Sequence, residues 1–244
     1  MRIAIISDLH GNLVALEAVL ADIAREAIDQ LLCLGDVALL GPQPRATIAR
    51  LQATGCPVIM GNTDAWLLEP QFPTTNDQEQ RRHHDIARWT LEQLGDAERA
   101  FLRSFQPTLR LELGPGVTLL AFHGSPRSNT EVIRATTPDE ALAAMLAGDD
   151  ATIFVGGHTH EPLLRRWQDA IVLNPGSVGL PRETRRATGA LRNPPWAEYA
   201  LVSYTAGHLY IDLRRVPIDL RALEAATRAS GMPHSDWWLA GWTT

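Results

Sequence analysis

The chain has 244 residues, of which 45% are hydrophobic, and this length is sufficient for one large α/β domain or two small ones. The formal net charge of −6 and the isoelectric point near 5.7 argue against broad binding to nucleic acid or to an acidic membrane surface. Two cysteines offer no disulfide framework, and no apolar run is long enough for a membrane span or a signal peptide, so we expect a cytoplasmic protein.

Short apolar runs that end at glycine or polar residues dominate the first two thirds of the chain. They cover residues 2–6, 30–34, 57–60, 117–122 and 151–155. Runs of this length bounded by glycine are typical of buried strands. Helical patterns lie between the first three runs: one follows a predicted N-cap at Asn12, and a second spans 45–53. Strands that alternate with helices predict βαβ units and a largely parallel sheet.

The remainder of the chain follows two other patterns. A charged, helical segment with a break at Gly95 indicates a cap inserted at residues 71–106. Closely spaced strand-like runs at 162–174 and 199–216 predict a more antiparallel second sheet, followed by a helix at 219–230 and a tryptophan-rich tail. Because no long linker divides the chain, we expect residues 1–244 to form a single domain.

Residues that can bind a metal ion stand at the ends of the five apolar runs. They are Asp8, His10, Asp36, Asn62, His123, His158 and His160. Ligands of open α/β sheets bind beyond the carboxyl ends of the strands, so these side chains should converge at one edge. Within each of the two pairs Asp8/His10 and His158/His160, extended backbone would direct both side chains to the same side.

The ligand set exceeds the needs of one metal ion. Three oxygen donors and four imidazoles are too many for a tetrahedral zinc site, and they suit two ions of five or six coordination. Asp36 is the natural bridge, because it comes from the middle of the set. Nitrogen and oxygen donors without thiolate favour Mn²⁺, Fe or Zn²⁺. The ligand geometry does not choose among these three, of which we expect Mn²⁺.

The motifs themselves resemble a known family. The stretches SDLHGN (7–12), GDVALLGPQP (35–44), GNTD (61–64), HGSP (123–126) and GGHTH (156–160) look like the motif set of the calcineurin-like metallophosphoesterases, and the small prokaryotic phosphodiesterases are the most similar branch. The resemblance spans about residues 1–180. It implies a four-layer α/β/β/α sandwich of two mixed sheets.

The resemblance also implies roles for the ligand residues. It assigns Asp8, His10 and His160 to one metal and Asn62, His123 and His158 to the other, with Asp36 shared; Asp36, Asn62 and His123 are the implied catalytic residues. In such sites two cations roughly 3.5–4 Å apart hold a hydroxide that attacks the phosphorus of a phosphate ester. The implied substrate is a small phosphodiester or a nucleotide-like ester.

One position departs from the family pattern. Many members carry a histidine after the asparagine, where it is thought to assist the leaving group, and this chain has Thr63 there. Threonine has no useful proton at neutral pH. We therefore expect activity to depend on a good leaving group, because general acid catalysis is worth about 10²- to 10⁴-fold.

Residues outside the motifs allow more than one interpretation. Arg127 and Arg182 follow turn motifs and are candidates for phosphate binding, although an ordinary surface salt bridge is an equal alternative. His83 and His84 are adjacent on a charged helix and favour a solvated surface. Trp237 and its neighbours in the tail either cover apolar surface or form the interface of a homo-oligomer.

Three alternative functions remain at this stage. The same site could serve a phosphomonoesterase, which the motifs do not distinguish from a phosphodiesterase. A catalytically inactive scaffold of this fold would lack some ligands, and here none is missing. The metallo-β-lactamase class expects an HxHxDH motif, whereas His160 is followed by Glu161 and Pro162.

Overall fold

The structure is a computed structural model and describes residues 1–184 and 189–242. In these ranges the chain forms strands and helices that alternate through most of its length. The strands are β1 (Arg2–Ile6), β2 (Gln30–Cys33), β3 (Leu109–Gly114), β4 (Val117–Ala121), β5 (Ile153–Val155), β6 (Leu163–Trp167), β7 (Ala170–Asn174), β8 (Glu183–Thr184), β9 (Leu191–Arg192), β10 (Trp196–Thr205) and β11 (His208–Pro217). The helices are α1 (Leu13–Ile23), α2 (Pro44–Gln52), α3 (Asn62–Leu68), α4 (Gln78–Gln93), α5 (Asp96–Arg103), α6 (Asp139–Met145), α7 (Leu220–Ala229) and α8 (Ser235–Ala240).

Two mixed sheets form the middle of the fold. The first has the strand order β11-β10-β1-β2, with β1 parallel to β2 and antiparallel to β10. The second has the order β3-β4-β5-β7-β6, in which β4, β5 and β7 run parallel and the two edge strands are antiparallel to their neighbours. β8 and β9 form a separate two-stranded ribbon.

The allocation of strands to sheets corrects the sequence-based expectation. The early apolar runs do not share one sheet, since β1 and β2 belong to the first and β4 and β5 to the second. The last two strands return to the first sheet, where β10 pairs with β1. Residues 57–60 form only isolated bridges, from Val58 to Cys33 and from Ile59 to Gln106. An apolar run indicates that a strand is buried on both faces, but it does not identify the neighbouring strand.

Alternation along the strands separates the apolar layers. Ile3 and Ile5 of β1 lie between the sheets and pack with Ile153 of β5, whereas Ala4 and Ile6 pack against the helices that cover the first sheet. This is the period-2 alternation of a strand that is buried on both faces. The same layer of helices contains α4 and α5, from the segment for which we predicted a cap, and the C-terminal helices α7 and α8.

A third apolar layer covers the outer face of the second sheet. Phe122 and Phe154 pack there with Leu142 of α6. Helices therefore enclose the two sheets from both sides, and the α/β/β/α sandwich is confirmed. Every helix in the described ranges is too short or too polar to cross a lipid bilayer.

Local sequence features explain where the helices begin and end. The side chain of Asn12 accepts a hydrogen bond from the backbone N–H of Ala15 and caps α1 as predicted. The break between α4 and α5 falls at Gly95, also as predicted. The short helices α3 and α6 and the strand β3 were not predicted. Helices of seven residues, such as α3 and α6, carry too few turns for a clear hydrophobic period.

Candidate metal centre

The seven predicted ligand side chains lie together at one edge of the two sheets. Asp8 and His10 follow β1, Asp36 follows β2, His123 follows β4, His158 and His160 follow β5, and Asn62 begins α3. Six of them form two groups of three in which all candidate ligand atoms lie within 4.8 Å of one another. The sheets thus bring residues from distant parts of the chain to one place.

The first group consists of Asp8, His10 and His160. The Nε2 atoms of His10 and His160 are 3.0 Å apart. Asp8 Oδ1 lies 3.4 Å from His160 Nε2 and 3.9 Å from His10 Nε2. All three side chains are buried.

The second group consists of Asp36, His123 and His158, and Asn62 lies beside it. His123 Nε2 is 3.5 Å from Asp36 Oδ2 and 3.0 Å from Asn62 Oδ1. His158 is the more open member, with intermediate exposure. The group therefore has one side that a ligand can reach.

Asp36 lies between the two groups. Its Oδ2 atom is 3.8 Å from His10 Nε2 of the first group and 3.5 Å from His123 Nε2 of the second. Its Oδ1 atom accepts a hydrogen bond of 2.9 Å from the backbone N–H of Thr63. One carboxylate oxygen is thus fixed by the backbone while the other faces both groups.

The donor set of the first group fits a cation. His10 Nδ1 and His160 Nδ1 lie 2.8 and 2.6 Å from the carbonyl oxygens of Leu39 and Leu180, so each ring donates its Nδ1 proton to backbone. In this tautomer each Nε2 carries a lone pair. Asp8 Oδ1 is buried beside them and has no hydrogen-bond partner among the described residues. Three electron-pair donors converge here, as metal ligands do.

The charges in the site are unevenly distributed. Burial and the neighbouring His160 lower the pKa of His10 to about 4, so this ring is neutral. Burial alone would lower the pKa of His123, but Asp36 and Asp8 outweigh it and raise that pKa to about 10. Burial would likewise raise the pKa of Asp36, yet His123 holds it below its ordinary value. The carboxylates therefore remain ionised and demand positive charge beside them.

A layer of hydrogen bonds behind the ligands fixes their positions. Asp64 accepts hydrogen bonds from the backbone N–H groups of Asp36, Val37 and Gly61 at 2.7, 2.9 and 3.2 Å. Its burial, followed by the charge of Asp36, raises the pKa of Asp64 to about 7. Asp64 thus holds the loop that carries Asp36.

Ser177 and Asn174 support the site from the end of β7, and the sequence analysis did not identify them as supporting residues. Ser177 Oγ donates to the backbone carbonyl of Asp8 at 2.8 Å. Asn174 Nδ2 donates to the carbonyl of Gly157 at 2.7 Å and so fixes the loop before His158. The turn sequence NPGSV (174–178), directly after a strand-like run, is the signal that could have identified them.

The backbone at the two ligand pairs is not extended, although the sequence analysis predicted an extended form there. Five of the seven candidate ligands have left-handed φ angles between 45° and 68°; they are Asp8, His10, Asp36, His158 and His160. Such angles are uncommon outside glycine and cost of order 1 kcal/mol or more each. The paired residues do converge, but sharp loop turns rather than strand geometry bring them together.

The two candidate phosphate-binding arginines have different surroundings. Arg127 is exposed and forms a two-pronged ion pair with Glu131, which also accepts a hydrogen bond of 2.6 Å from Ser125 Oγ. Arg182 is exposed, and its guanidinium makes no ion pair or hydrogen bond with another described residue, while its backbone N–H donates to the carbonyl of His160 at 3.4 Å. Of these two arginines, Arg182 is therefore the one whose guanidinium has no ion pair among the described residues.

The sequence model of the calcineurin-like phosphoesterase superfamily domain matches residues 1–193. An uncharacterised protein from Methanocaldococcus jannaschii is 30% identical over 196 residues, which cover 74% of this chain and 77% of that protein.

Two crystal structures are similar over almost the whole chain. A metallophosphoesterase from Sphaerobacter thermophilus is 27% identical with a TM-score of 0.74, and the match covers 99% of this chain and 98% of the other. A hypothetical protein from Pyrococcus horikoshii has a TM-score of 0.77 at 22% identity, and the match covers 96% of this chain and 94% of that one.

Proposed function

Because the chain belongs to the calcineurin-like phosphoesterase superfamily and is a metal-dependent phosphoester hydrolase, we propose that it cleaves a small phosphodiester or nucleotide-like ester at a centre of two divalent ions. In this proposal Asp8, His10 and His160 hold one ion, and Asn62, His123 and His158 hold the other. The observation that carries the proposal is the position of Asp36, whose Oδ2 atom faces both ligand groups. We favour Mn²⁺, with Fe and Zn²⁺ as the alternatives that the same donors accept.

The protein's own residues then have separate tasks. When bound, two such ions supply Lewis-acid activation of water and of the non-bridging phosphate oxygens. The ionised Asp36 and the ring of His123 lie in fixed positions, and a bound cation would take the place of the proton that His123 carries beside Asp36; Asn62 adds an uncharged oxygen beside His123. Leu34 accepts a 2.8 Å hydrogen bond from His123 Nδ1 and thereby orients its Nε2 atom toward Asp36.

No serine is needed as a nucleophile. Ser125 Oγ donates to Glu131, and Ser7 Oγ is buried close to Gly157. Ser7 Oγ has no hydrogen-bond partner among the described residues, and the Glu131 carboxylate beside Ser125 is a weak base because its hydrogen bonds to Arg127 hold its pKa below its ordinary value. Attack by water is therefore the mechanism that the arrangement of side chains supports.

Two features favour a diester over a monoester. A cavity of about 350 Å³ borders the second ligand group, lined by His123, Ser125 and Asn129 among others, and it offers room for a second ester substituent. The guanidinium of Arg127, at the edge of this cavity, is ion-paired with Glu131. It is therefore not free to bind the second negative charge that a monoester carries and a diester lacks. Hydrolysis of a monoester at the same site is the competing function.

The test uses purified protein with Mn²⁺ and bis-p-nitrophenyl phosphate, an activated diester. Asp36→Asn and His158→Ala should each lower turnover by about 10²-fold or more, because changes to residues that merely support metal ligands already cost about 10- to 100-fold. Asp169→Asn is the matched control, since Asp169 is exposed in the turn between β6 and β7, at the opposite end of β7 from the site. Wild-type turnover in Asp36→Asn would refute the proposed centre.

The same assay separates the competing functions. Higher kcat/KM for p-nitrophenyl phosphate than for the diester would identify a monoesterase. A wild-type chain that hydrolyses neither ester with Mn²⁺, Fe²⁺ or Zn²⁺ would support an inactive scaffold of this fold.

A further inference from the structure

A second cavity, of about 420 Å³, lies beside the first ligand group. Its walls come from three parts of the chain: His83 and Ile86 of α4, Leu180 and Arg182 of the segment after β7, and Trp237 of α8. The volume falls within the range of small-molecule binding sites, and most of the lining is apolar or aromatic. Neither the fold nor the ligand set requires such a cavity.

The cavity shares its wall with the backbone that orients the ligands. Leu180 lines it, and the carbonyl of Leu180 accepts the hydrogen bond from His160 Nδ1. Leu40 also lines it and directly follows Leu39, whose carbonyl accepts from His10 Nδ1. The cavity therefore adjoins the two backbone segments that orient His10 and His160.

The aromatic wall is held in place from several directions. The Nε1 atom of Trp238 donates a 2.7 Å hydrogen bond to the carbonyl of Leu40 and ties α8 to the loop behind His10. The guanidinium of Arg82 lies 5.4 Å from the centre of the Trp237 ring, and the His83 ring lies 5.5 Å from it in an edge arrangement. The indole of Trp237 is thus a positioned flat surface before any ligand arrives.

We infer that this cavity binds the organic substituent of the phosphate ester, and that the substituent is an aromatic heterocycle of the nucleobase type. The inference rests on the proposed function, because the phosphate must lie on the ligand groups for its substituent to reach the cavity. Trp237 and His83 offer ring surfaces, and a planar guanidinium such as that of Arg182, which makes no ion pair with another described residue, can stack on an aromatic ligand. Sequence-independent stacking of bases uses these same residue types.

Two further properties of the lining agree with an uncharged aromatic occupant. Burial lowers the pKa of His83 and Arg182 adds to the effect, so this imidazole is neutral at pH 7. Leu191 at the edge of the cavity is 65% exposed, which leaves apolar surface that an aromatic ring would cover. A highly charged substituent would gain nothing from either side chain.

The experiment compares two diesters that have the same p-nitrophenyl leaving group. Thymidine 5′-(p-nitrophenyl phosphate) carries a base on the retained substituent, and methyl p-nitrophenyl phosphate carries none. We expect a higher kcat/KM for the thymidine ester in the wild type. Trp237→Ala should lower the ratio of the two kcat/KM values by about 5- to 150-fold, which corresponds to the range of one base-stacking contact, whereas Trp237→Phe should keep most of it.

Two more variants guard against misfolding as the explanation. Arg182→Ala changes an exposed side chain and should lower the same ratio. Tyr210→Ala removes an exposed aromatic ring from β11, outside the cavity lining, and should leave the ratio as in the wild type. An unchanged ratio in both Trp237→Ala and Arg182→Ala would overturn the inference, even if kcat/KM fell by the same factor for the two esters.

A binding measurement separates this inference from the proposed function. Thymidine added to the metal-free protein should shift the indole N–H resonance that disappears in Trp237→Phe, while the Trp89 resonance stays in place. If the wild type hydrolysed neither ester, the proposed function would fail, and the resonance shift alone would decide whether the cavity binds a base. No shift of the Trp237 signal at saturating thymidine would refute the cavity assignment.

Discussion

The Nε2 atoms of His10 and His160 lie 3.0 Å apart, although each ring donates its Nδ1 proton to a backbone carbonyl. Two imidazoles in this tautomer direct lone pairs toward each other, and the buried Asp8 Oδ1 adds a negative charge 3.4 Å from His160 Nε2. The arrangement is unfavourable without a cation, because the two lone pairs and the carboxylate are all electron-rich and face one another in a buried site of low dielectric constant.

Metal binding should therefore stabilise the folded protein. Mn²⁺ at 100 times its Kd is expected to add about 2.7 kcal/mol to the free energy of unfolding, and EDTA should remove that gain. Circular dichroism during thermal unfolding measures the effect as a shift of the midpoint. His160→Ala should reduce the shift, whereas His208→Ala, on the exposed part of β11, should not. Equal midpoints with Mn²⁺ and with EDTA would contradict the prediction.

Gly157 provides a test of the site that removes no ligand. A Cβ atom at Gly157 would lie 2.0 Å from Ser7 Oγ and 2.8 Å from Asp8 Oδ2, both closer than real contacts allow. The backbone there is held by hydrogen bonds to His123 and Asn174, so it has little freedom to move away. Gly157→Ala should displace the Asp8 carboxylate and lower turnover by about 10²-fold, the cost of a misplacement near 1 Å.

The control for Gly157→Ala is the same substitution at Gly95, because neither glycine has a left-handed φ angle. At Gly95 an added Cβ would lie 3.1 Å from Glu98 Oε2, the end of a flexible side chain that can move. Gly95→Ala should therefore keep wild-type turnover of bis-p-nitrophenyl phosphate. The interpretation fails if Gly157→Ala is as active as Gly95→Ala and binds Mn²⁺ with unchanged affinity.

Much of the site could be predicted from the sequence, because each ligand follows directly on a buried strand-like run. Asp36 and His123 needed only the rule that functional residues lie beyond strand ends. The roles of Asn174 and Ser177 could not be predicted, since hydrogen bonds between loops that are 17 and 169 residues apart leave no periodic pattern. The chain's apolar runs likewise identified buried strands such as β10, yet the pairing of β10 with β1 depends on contacts between residues about 200 positions apart.

Thr63 provides a third prediction, about the leaving group. Its hydroxyl is buried without a hydrogen-bond partner among the described residues, while its N–H holds Asp36 Oδ1. Thr63→His would place a group that can donate a proton next to the site. We expect hydrolysis of diphenyl phosphate, which has a poor leaving group, to improve by about 10-fold or more, and that of bis-p-nitrophenyl phosphate to change less.

Thr63→Gln is the control for this substitution, because glutamine adds bulk and hydrogen-bonding groups but no proton that titrates near neutral pH. The kcat/KM values of both esters are compared for the three proteins. If histidine and glutamine had equal effects on the two esters, proton donation to the leaving group would not explain the result.

Glu198 of β10 supplies a prediction on stability and pH. Its Oε1 atom accepts hydrogen bonds from Trp196 Nε1 and Arg215 Nε at 3.1 and 3.2 Å, whereas its buried Oε2 atom has no partner in the described chain. Burial raises the pKa of Glu198, and these two partners only partly oppose it. The unfolded protein therefore loses this proton at lower pH than the folded protein does.

It follows that ionisation of Glu198 costs stability as the pH rises. Below the unfolded pKa, near 4.3, both states hold the proton and the group has no pH-dependent effect. Above it the unfolded state binds fewer protons, so the free energy of unfolding falls until the raised folded pKa is passed. Glu198→Gln removes this dependence, so its stability relative to the wild type should increase between pH 4 and pH 7 in urea unfolding experiments. A difference that is constant with pH would mean that Glu198 ionises equally easily in the folded and unfolded chains.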